Sequence, residues 1–288
     1  MMAMHDGDRR AVTFARGCDY ADRWSGDVLD PPGRRPADVA NPLTAYLANY
    51  DVGNGIWKWD HYHEIYHRHL NKFVGVAVDV LEIGIYSGGS LHMWRSYFGP
   101  GSRMYGVDIE SACKLCEQDG VRVFIGDQGD PLFWSEFNEQ VAGVDIVIDD
   151  GGHTAEQQMV TLEEMLPRLR PGGVYICEDI HGEGNAFAGF VAGLISRLGV
   201  TNRTSPPYDE IGPGEALTAA PTPFQRSVHS VHCYPFLVVI EKHELPPKRF
   251  SAPKRGTLWQ PFLSKDERDA EPGQGAPSSM QHRGGNPV

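Results

Sequence analysis

The sequence predicts a mostly parallel β-sheet covered by helices on both faces. Short apolar runs alternate with segments of helical periodicity through the middle of the chain. The runs are almost continuously apolar, as expected of strands buried on both faces of a parallel sheet. Acids or glycines directly follow five of these runs. They therefore lie at the carboxyl edge, where such sheets bind their ligands.

The first four strands are indicated by apolar runs that each end in a polar or glycine-containing turn. Between the first and the second, residues 90–98 have helical spacing, with Leu91, Trp94 and Phe98 on one face. The predicted strands cover residues 76–84, 103–109, 121–127 and 144–150.

The second half of the predicted sheet begins with a helix and ends with a hairpin. Thr154 and Gln157 form a capping-box pattern at the start of this helix. Apolar side chains then recur at helical spacing as far as Leu169, and Pro171 with the following Gly172 and Gly173 ends the helix. A fifth strand is predicted over residues 174–179 and a closing hairpin over residues 227–242.

Composition limits the domain organisation and the class of partner. Residues 1–40 have no sustained period and are expected to form a loosely ordered arm; residues 265–288 are expected to be a disordered tail. Residues 41–264 then form one domain. The formal net charge of -12 argues against binding to nucleic acid or to a membrane surface. With no secretory signal and no apolar run long enough to span a membrane, a cytoplasmic protein is expected.

The first strand end has the features of a nucleoside cofactor site. Glycines after the strand, beginning with Gly84, let the backbone approach a ligand closely. Asp108 ends the next strand, where an acid can accept both hydroxyls of a ribose. A nicotinamide dinucleotide shares this layout, but its usual G-x-G-x-x-G spacing is absent. Glu82 suits a cationic ligand such as S-adenosylmethionine, and Asp127 and Gln128 could bond its adenine amine.

The fourth and fifth strand ends suggest a divalent cation. Asp149 and Asp150 are adjacent on an extended strand, so their side chains point to opposite sides. Asp150 together with Glu178 and Asp179 offers three hard oxygen ligands at one edge, a set that suits Mg²⁺, or alternatively Mn²⁺ or Ca²⁺. His153 follows in a glycine loop, where an imidazole can accept the proton of a substrate hydroxyl.

Five segments together resemble the metal-dependent sugar O-methyltransferases of antibiotic biosynthesis, of the mycinamicin and rhamnosyl O-methyltransferase type. They are EIGIYSGGSLHMWRSYF, YGVDI, GDQGD, IDDGGH and LRPGGVYICED, and the resemblance covers about residues 54–242. It implies a Rossmann-like class I methyltransferase fold with a mostly parallel seven-stranded sheet. The implied reaction is Mg²⁺-dependent methyl transfer from S-adenosylmethionine to a hydroxyl of a deoxysugar, in a glycoside or a nucleotide sugar. Homo-oligomers are implied as well.

The resemblance also implies a role for individual residues. Asp150, Glu178 and Asp179 would bind the metal, and His153 would be the base beside Asp150. The residues that would bind the cofactor are Glu82, Gly84, Tyr86, Ser90, Asp108, Asp127, Gln128 and Asp149.

Two departures leave the acceptor open. Gly152 stands where such enzymes often have serine, and residues 180–190 are glycine-rich where an aromatic-rich segment is common. Methylation of a catechol or another small diol is one alternative. A second is a non-catalytic partner that binds S-adenosylmethionine, and the cephalosporin hydroxylase type is a further relative of the pattern.

Residues 58–70 also resemble the entry helix of that family. His63 and His67 have the spacing of metal ligands. However, an apolar-aromatic stripe on the same segment favours a packed amphipathic helix, with Tyr62 or Tyr66 reaching the pocket.

Overall fold

A computed structural model describes residues 6–24 and 41–256 of the chain. The chain divides into two compact units, residues 1–49 and residues 50–288. The predicted tail, residues 265–288, lies outside the described residues.

Within its described residues, 6–24 and 41–49, the first unit contains the helices α1 (Asp6–Asp22) and α2 (Pro42–Leu47). Helix α1 lies in the segment that the sequence predicts to be a loosely ordered arm, residues 1–40, of which residues 1–5 and 25–40 lie outside the described residues. Its side chains that the structure describes are exposed, including Phe14 and Tyr20. None of the α1 side chains that the structure describes is buried, and a helix that buries no apolar stripe gives no periodic signal in the sequence.

The described part of the second unit, residues 50–256, contains ten strands, most of them in one sheet. Seven strands are hydrogen-bonded in the order β3-β2-β1-β4-β5-β9-β8, and β10, β7 and β6 form a small antiparallel sheet that was not predicted. The first five strands of the large sheet are parallel, and β9 and β8 are antiparallel, which confirms the predicted fold class. The strands are β1 (Asp79–Ile83), β2 (Arg103–Asp108), β3 (Val121–Ile125), β4 (Val144–Asp149), β5 (Leu169–Cys177), β6 (Asn202–Arg203), β7 (Ala216–Ala220), β8 (Val228–Tyr234), β9 (Leu237–Lys242) and β10 (Phe250–Pro253).

Helices cover both faces of the large sheet. Leu81 of β1 belongs to an apolar cluster with Phe137 and Met165 from two helices on one face. The neighbouring residue Glu82 points to the opposite face, where it accepts a hydrogen bond from Trp94. The helices of this unit are α3 (Tyr62–Leu70), α4 (Gly89–Phe98), α5 (Pro131–Gln140), α6 (Ala155–Met165), α7 (Ala186–Leu198) and α8 (Pro223–Ser227). Among the described residues, no helix is long and apolar enough to cross a membrane.

The predicted extent of the helix after β4 was wrong at its end. Thr154 caps α6 by accepting a hydrogen bond from the Gln157 backbone, as expected, but the helix ends at Met165. Leu169 is instead the first residue of β5, which runs through Pro171 and Gly172 with a register irregularity. A bulge accommodates proline and glycine inside a strand, so the same residues that favour a helix stop also fit this strand.

The register of the central strands fixes the position of the site. Ile83 pairs with Asp149, and Asp149 pairs with Cys177, so β1, β4 and β5 end level with one another. The residues that follow, Gly84, Asp150 and Glu178, therefore emerge side by side at the carboxyl edge. At the far side of β5, the predicted hairpin of β8 and β9 is confirmed.

Candidate active site

A cavity of about 820 Å³ lies at the carboxyl edge of the large sheet. Residues that follow each of the five parallel strands line it, so it occupies the place where the sequence predicts a ligand. Its volume is in the range of sites for drug-sized ligands. The lining residues after strand ends include Gly84, Asp108, Asp127, Asp150, Glu178 and Asp179.

Gly84 lets the turn after β1 pack directly against the turn after β4. Its φ is +80°, and a Cβ atom at this position would collide with the backbone oxygen of Asp150. The Asp150 backbone N–H in turn donates to the carbonyl of Ile83. A side chain at residue 84 would both strain the backbone and push Asp150 out of place.

Asp108 and Asp127 form one end of the cavity. The two Asp108 oxygens accept from the backbone N–H groups of Tyr86 and Glu110, at 3.0 and 2.9 Å, which fixes the carboxylate at the cavity wall. Asp127 is exposed and caps its own turn by accepting from Gly129 at 2.8 Å. Tyr86 lines the cavity with φ of +45° and is largely exposed. This end has the fixed acid and the open wall that a ribose and its base need.

Glu82 does not line the cavity, which corrects the sequence prediction. It is completely buried on the face covered by α4, because its position on β1 turns the side chain away from the strand end. Ser90 Oγ donates to it at 2.8 Å and Trp94 Nε1 at 3.1 Å. Ser90 does line the cavity, so Glu82 can act on a ligand only through its neighbours.

Asp149 is also absent from the cavity wall. Its side chain is 1% exposed and accepts hydrogen bonds from Gln128 Nε2 at 2.8 Å and from the Tyr175 hydroxyl at 3.1 Å. Burial raises the pKa of Asp149 to about 7. Asp149 and Asp150 do point to opposite sides, as predicted. However, the Asp149 side chain points into the core and not toward a ligand.

Gln128 supports the loop after β4. Its amide oxygen accepts from the Gly152 backbone at 2.7 Å, while its nitrogen holds Asp149. Gln128 lines the cavity, yet its polar atoms are committed to these internal bonds. The structure therefore gives it a positioning role beside the predicted adenine pocket.

Lys58 supplies the positive charge that offsets the acids at the strand ends. The sequence analysis did not identify this residue. Its Nζ lies 2.7 Å from Asp150 Oδ2 and 3.3 Å from both Glu82 Oε1 and Glu178 Oε1. The side chain is 3% exposed. Burial lowers the pKa of Lys58, but the charges of the three carboxylates outweigh this effect and raise it well above its usual value. Lys58 is therefore a permanent cation in the cavity wall.

Of the three residues predicted to bind a metal, Asp150 and Asp179 lie in one group with His153. Asp150, Asp179 and His153 present ligand atoms that all lie within 4.8 Å of one another. His153 Nε2 is 4.0 Å from Asp150 Oδ1 and 3.7 Å from Asp179 Oδ2. Glu178 is separate, because its buried carboxylate faces Lys58. Burial raises the pKa of Glu178 well above its usual value, although Lys58 opposes this shift.

Two members of this group have a strained backbone. The φ angles of His153 and Asp179 are +56° and +55°. Non-glycine residues in this region are held there at a cost and are frequent at functional sites. Both residues have side chains within the group that includes Asp150.

An aromatic wall, formed by Trp59, Tyr62, His181 and Phe236, lies beside Asp179. Its Oδ1 accepts from Trp59 Nε1 at 3.1 Å and from the Tyr62 hydroxyl at 2.8 Å, and His181 Nε2 lies 3.5 Å away. The rings of His181 and Phe236 are 4.7 Å apart. Tyr62 reaches the cavity from the start of α3, as the sequence predicted.

Among the described residues, no group of ligand atoms that could hold a metal ion includes His63 or His67, the two α3 residues with the spacing of metal ligands. His69 of the same helix lies with His232 and Glu241 in a group whose ligand atoms are all within 4.8 Å of one another. His67 Nδ1 is 2.8 Å from the Tyr97 hydroxyl, and His63 is buried. Tyr66 is fully buried, and burial together with the charge of Glu178 raises its pKa. The prediction of a packed amphipathic helix is confirmed.

The donor set fits a hard dication. Asp150 and Asp179 are partly exposed carboxylates that both face the cavity, and oxygen ligands suit Mg²⁺, which keeps several waters or substrate oxygens. The nitrogen of His153 suits a transition metal better than Mg²⁺. The identity of the ion and the role of His153 are therefore linked.

Comparison with known proteins identifies what the domain is similar to. A family model described as a methyltransferase domain matches residues 81–180. The chain is 33% identical over 241 residues to 8-demethyl-8-alpha-L-rhamnosyl tetracenomycin-C 2'-O-methyltransferase of Streptomyces olivaceus, covering 74% of this chain and 61% of that enzyme. It is 34% identical over 209 residues to 8-demethyl-8-(2-methoxy-alpha-L-rhamnosyl)-tetracenomycin-C 3'-O-methyltransferase of the same organism, covering 65% of this chain and 50% of that enzyme.

A solved structure is similar over most of the fold. It is the MycE methyltransferase from the mycinamycin biosynthetic pathway in complex with Mg, SAH and mycinamycin VI. The TM-score is 0.53 at 25% identity, and the match covers 70% of this chain and 53% of that one. The chain thus spans only about half to three-fifths of the length of these three proteins.

Proposed function

We propose an activity for this chain from the premise that it contains a class I methyltransferase domain and that its homologues are sugar O-methyltransferases of antibiotic biosynthesis. The chain transfers a methyl group from S-adenosylmethionine to a hydroxyl of a sugar in a natural-product glycoside. The observation that carries this proposal is the shared cavity: Asp108 lies at one end, and Asp150, His153 and Asp179 converge at the other.

The two ends are at the right separation for a nucleoside donor and an acceptor. Asp108 is the last residue of β2 and Asp179 follows β5, with β1 and β4 between these two strands. Three strand spacings correspond to about 14 Å. The ribose of S-adenosylmethionine would bind at Asp108, and its methyl group would point toward His153.

His153 is the proposed base. The new O–CH₃ bond forms as the S–CH₃ bond of the donor breaks, and the proton of the acceptor hydroxyl passes to His153 Nε2. Asp179 Oδ2 and Asp150 Oδ1 lie 3.7 and 4.0 Å from this nitrogen and stabilise the imidazolium that results. Solvent then accepts the proton from His153, whose side chain is 39% exposed.

A dication held by Asp150 and Asp179 is part of the proposal. Such an ion polarises the acceptor hydroxyl and lowers its pKa. Mg²⁺ would leave His153 free as a base, whereas a transition metal would recruit the imidazole as a ligand. We therefore expect Mg²⁺ to support activity and Zn²⁺ to inhibit it.

The tryptophans that line the cavity favour a sugar as the acceptor. The exposed indoles of Trp57 and Trp59 line the cavity beside the carboxylates. The C–H face of a sugar ring can pack on an indole while its hydroxyls reach Asp150 and Asp179. The relatives named above act on rhamnosyl groups of tetracenomycins, which is consistent with a deoxysugar. Assembly into a homo-oligomer stays a prediction.

The test is a methylation assay with labelled S-adenosylmethionine, Mg²⁺ and a panel of acceptors. The panel contains deoxysugar glycosides, nucleotide sugars and catechols, and mass spectrometry detects one added methyl group. We expect methylated glycosides, loss of activity with EDTA and recovery with Mg²⁺. Methylation of catechols alone would transfer the proposal to aromatic diols, and binding of S-adenosylmethionine without turnover on any acceptor would refute an enzymatic role.

A further inference from the structure

We infer that the chain has a Zn²⁺ site away from the cavity, formed by His69, His232 and Glu241. His69 comes from the last turn of α3, His232 from β8 and Glu241 from β9. Each of the three contributes one ligand atom, and these atoms all lie within 4.8 Å of one another. None of the three lines the cavity, so the inference does not depend on the proposed function.

The register of the β8–β9 hairpin places two of these ligands on one face of the sheet. Ser230 pairs with Glu241, and His232 pairs with Val239. Directly paired residues of antiparallel strands share a face, and so do residues two apart on one strand. His232 and Glu241 are therefore diagonal neighbours. His69 of α3 meets both, with its ring centroid 4.7 Å from that of His232 and its Nδ1 2.5 Å from Glu241 Oε1.

Two imidazoles and one carboxylate form a ligand set that selects Zn²⁺. Sites with three protein ligands of this kind leave a fourth, tetrahedral position for water, whereas Mg²⁺ and Ca²⁺ prefer oxygen ligands throughout. Zn²⁺ at its usual bond lengths would hold the His69 and Glu241 atoms about 3.4 Å apart. The ion would therefore replace the hydrogen atom now shared by this pair and open it by about 1 Å. The Glu241 side chain is 20% exposed, which gives the ion a route in.

Neighbouring hydroxyl groups are placed to orient both imidazoles. The Tyr234 hydroxyl lies 2.9 Å from His69 Nε2, on the side of the ring opposite the nitrogen that faces Glu241. The Ser230 hydroxyl lies 3.0 Å from His232 Nε2. Histidine ligands of metals almost always bond through their second nitrogen to such a partner, which fixes the tautomer and the ring direction. The cluster therefore has the outer partners of a metal site as well as its ligands.

An ion in this site would anchor the helix that also reaches the cavity. Tyr62, the first residue of α3, donates to Asp179 Oδ1 at 2.8 Å and to the carbonyl of Phe236 at 3.2 Å. His69 lies seven residues further on, about 10 Å along the helix axis. The β8–β9 hairpin would then hold α3 at both ends, through Phe236 at its start and through Zn²⁺ at its last turn.

The experiment titrates Zn²⁺ into the full-length, EDTA-treated chain in a calorimeter and compares single variants. Glu241→Gln keeps the side-chain volume and His232→Ala changes a partly exposed residue. In each, one Zn²⁺ equivalent should bind at least about 10–100-fold more weakly, the size of effect that even a lost outer partner has. His229→Ala removes an imidazole of the same strand outside the cluster, and His153→Ala removes the imidazole at the cavity. Both should keep that equivalent at wild-type affinity.

Two further measurements distinguish a bound ion from an ion pair. Co²⁺ should give the intense visible bands of a tetrahedral site in the wild type and lose them in Glu241→Gln and His232→Ala. Saturating Zn²⁺ should raise the melting temperature of the wild type by several degrees and that of these two variants less. Either variant alone is decisive, so one that fails to fold leaves the other as the test.

Three results would overturn the inference. The first is a wild type that binds no Zn²⁺, which would leave the three side chains as an ion pair. The second is unchanged Zn²⁺ affinity and stoichiometry in Glu241→Gln or His232→Ala. The third is loss of the equivalent in His229→Ala, which would move the ion to the neighbouring rings of His229 and His243, whose centroids are 4.9 Å apart.

Discussion

The two edges of the large sheet both carry acids, but only one edge balances them. At the amino edge, Asp79 and Asp145 are matched by Arg103 and Arg170. Arg103 donates to both oxygens of Asp79, at 2.5 and 2.7 Å, and Arg170 joins Asp79 to Asp145 with two bonds of 2.7 Å. Each acid has an arginine, and the network is electrostatically closed.

At the carboxyl edge, three carboxylates share the ammonium of Lys58 and a fourth, Asp179, lies beside them. The acids there outnumber the cations, and a cavity opens onto them. The pKa values differ between the two edges. Burial raises the pKa of Asp79, but the hydrogen bonds from its arginines have the larger effect, so its pKa is lowered overall. For Glu82 the effect of burial is the larger one, and its pKa is raised. An excess of acids beside a cavity is the arrangement expected around a bound cation.

The largest expected loss of kcat follows from replacing an acid at the carboxyl edge, with the replacement of an acid at the amino edge as its control. Asp150→Asn removes a ligand of the proposed dication and the partner of Lys58, so kcat should fall by about a thousandfold, as expected for the loss of metal polarisation. Asp145→Asn is the matched control, and its kcat should stay within about threefold of wild type because it lies away from the cavity. Steady-state kinetics on a responsive glycoside measures both. Comparable losses in the two variants would show that the edges do not differ in function.

The next effect concerns the base. His153→Ala should lower kcat by about 10²–10⁴-fold, the usual contribution of general-base catalysis, while S-adenosylhomocysteine binds with unchanged affinity in calorimetry. His229→Ala, on the exposed surface of β8, is the control and should leave both values unchanged. A near-wild-type rate for His153→Ala would remove this residue from the mechanism.

A smaller effect separates stability from function. Asp79→Asn should lower the free energy of unfolding by about 1–3 kcal/mol, because it weakens charged hydrogen bonds that the folded state alone contains. Glu178→Gln should change the free energy of unfolding by less than about 1 kcal/mol, because Lys58 keeps Asp150 and Glu82 as partners and the desolvation cost of the Glu178 charge is removed. The variant should nevertheless lower activity. Urea denaturation and kinetics on the same samples test this reversal. A stability loss in Glu178→Gln as large as in Asp79→Asn would contradict it.

The same contrast explains what could be predicted from the sequence. The order of strands and the acids at their ends follow from local patterns, because apolar runs and the residues after them are contiguous. Asp108 and Asp150 were placed at the cavity for this reason. The pairing of Lys58 with Glu178, 120 residues apart, depends on how the segment before α3 crosses the strand ends, and no local pattern contains that information.

Side-chain direction was the second source of error. Glu82 and Asp149 lie close to the site in sequence, but their positions on β1 and β4 turn both carboxylates into the core. The sequence predicts that Asp149 and Asp150 diverge; it does not tell which of them faces the cavity. That choice is set by Gln128 and Tyr175, which hold Asp149 from other strands and turns.

The smallest expected effect is a difference in pH dependence. Asp79 has a pKa below its usual value in the folded protein, so it stabilises the fold fully above the pKa of an unfolded aspartate, about 3.9. That contribution is lost as the pH falls through the lower folded value, because the folded state must then take up a proton and give up its arginine bonds. The free energy of unfolding of Asp79→Asn should therefore fall less steeply below about pH 4 than that of the wild type. Denaturation midpoints of the two proteins between pH 5 and pH 2 measure the difference. Parallel curves would mean that the arginines do not stabilise the Asp79 charge. In that case the arginine network would not be the feature that distinguishes the amino edge from the candidate site.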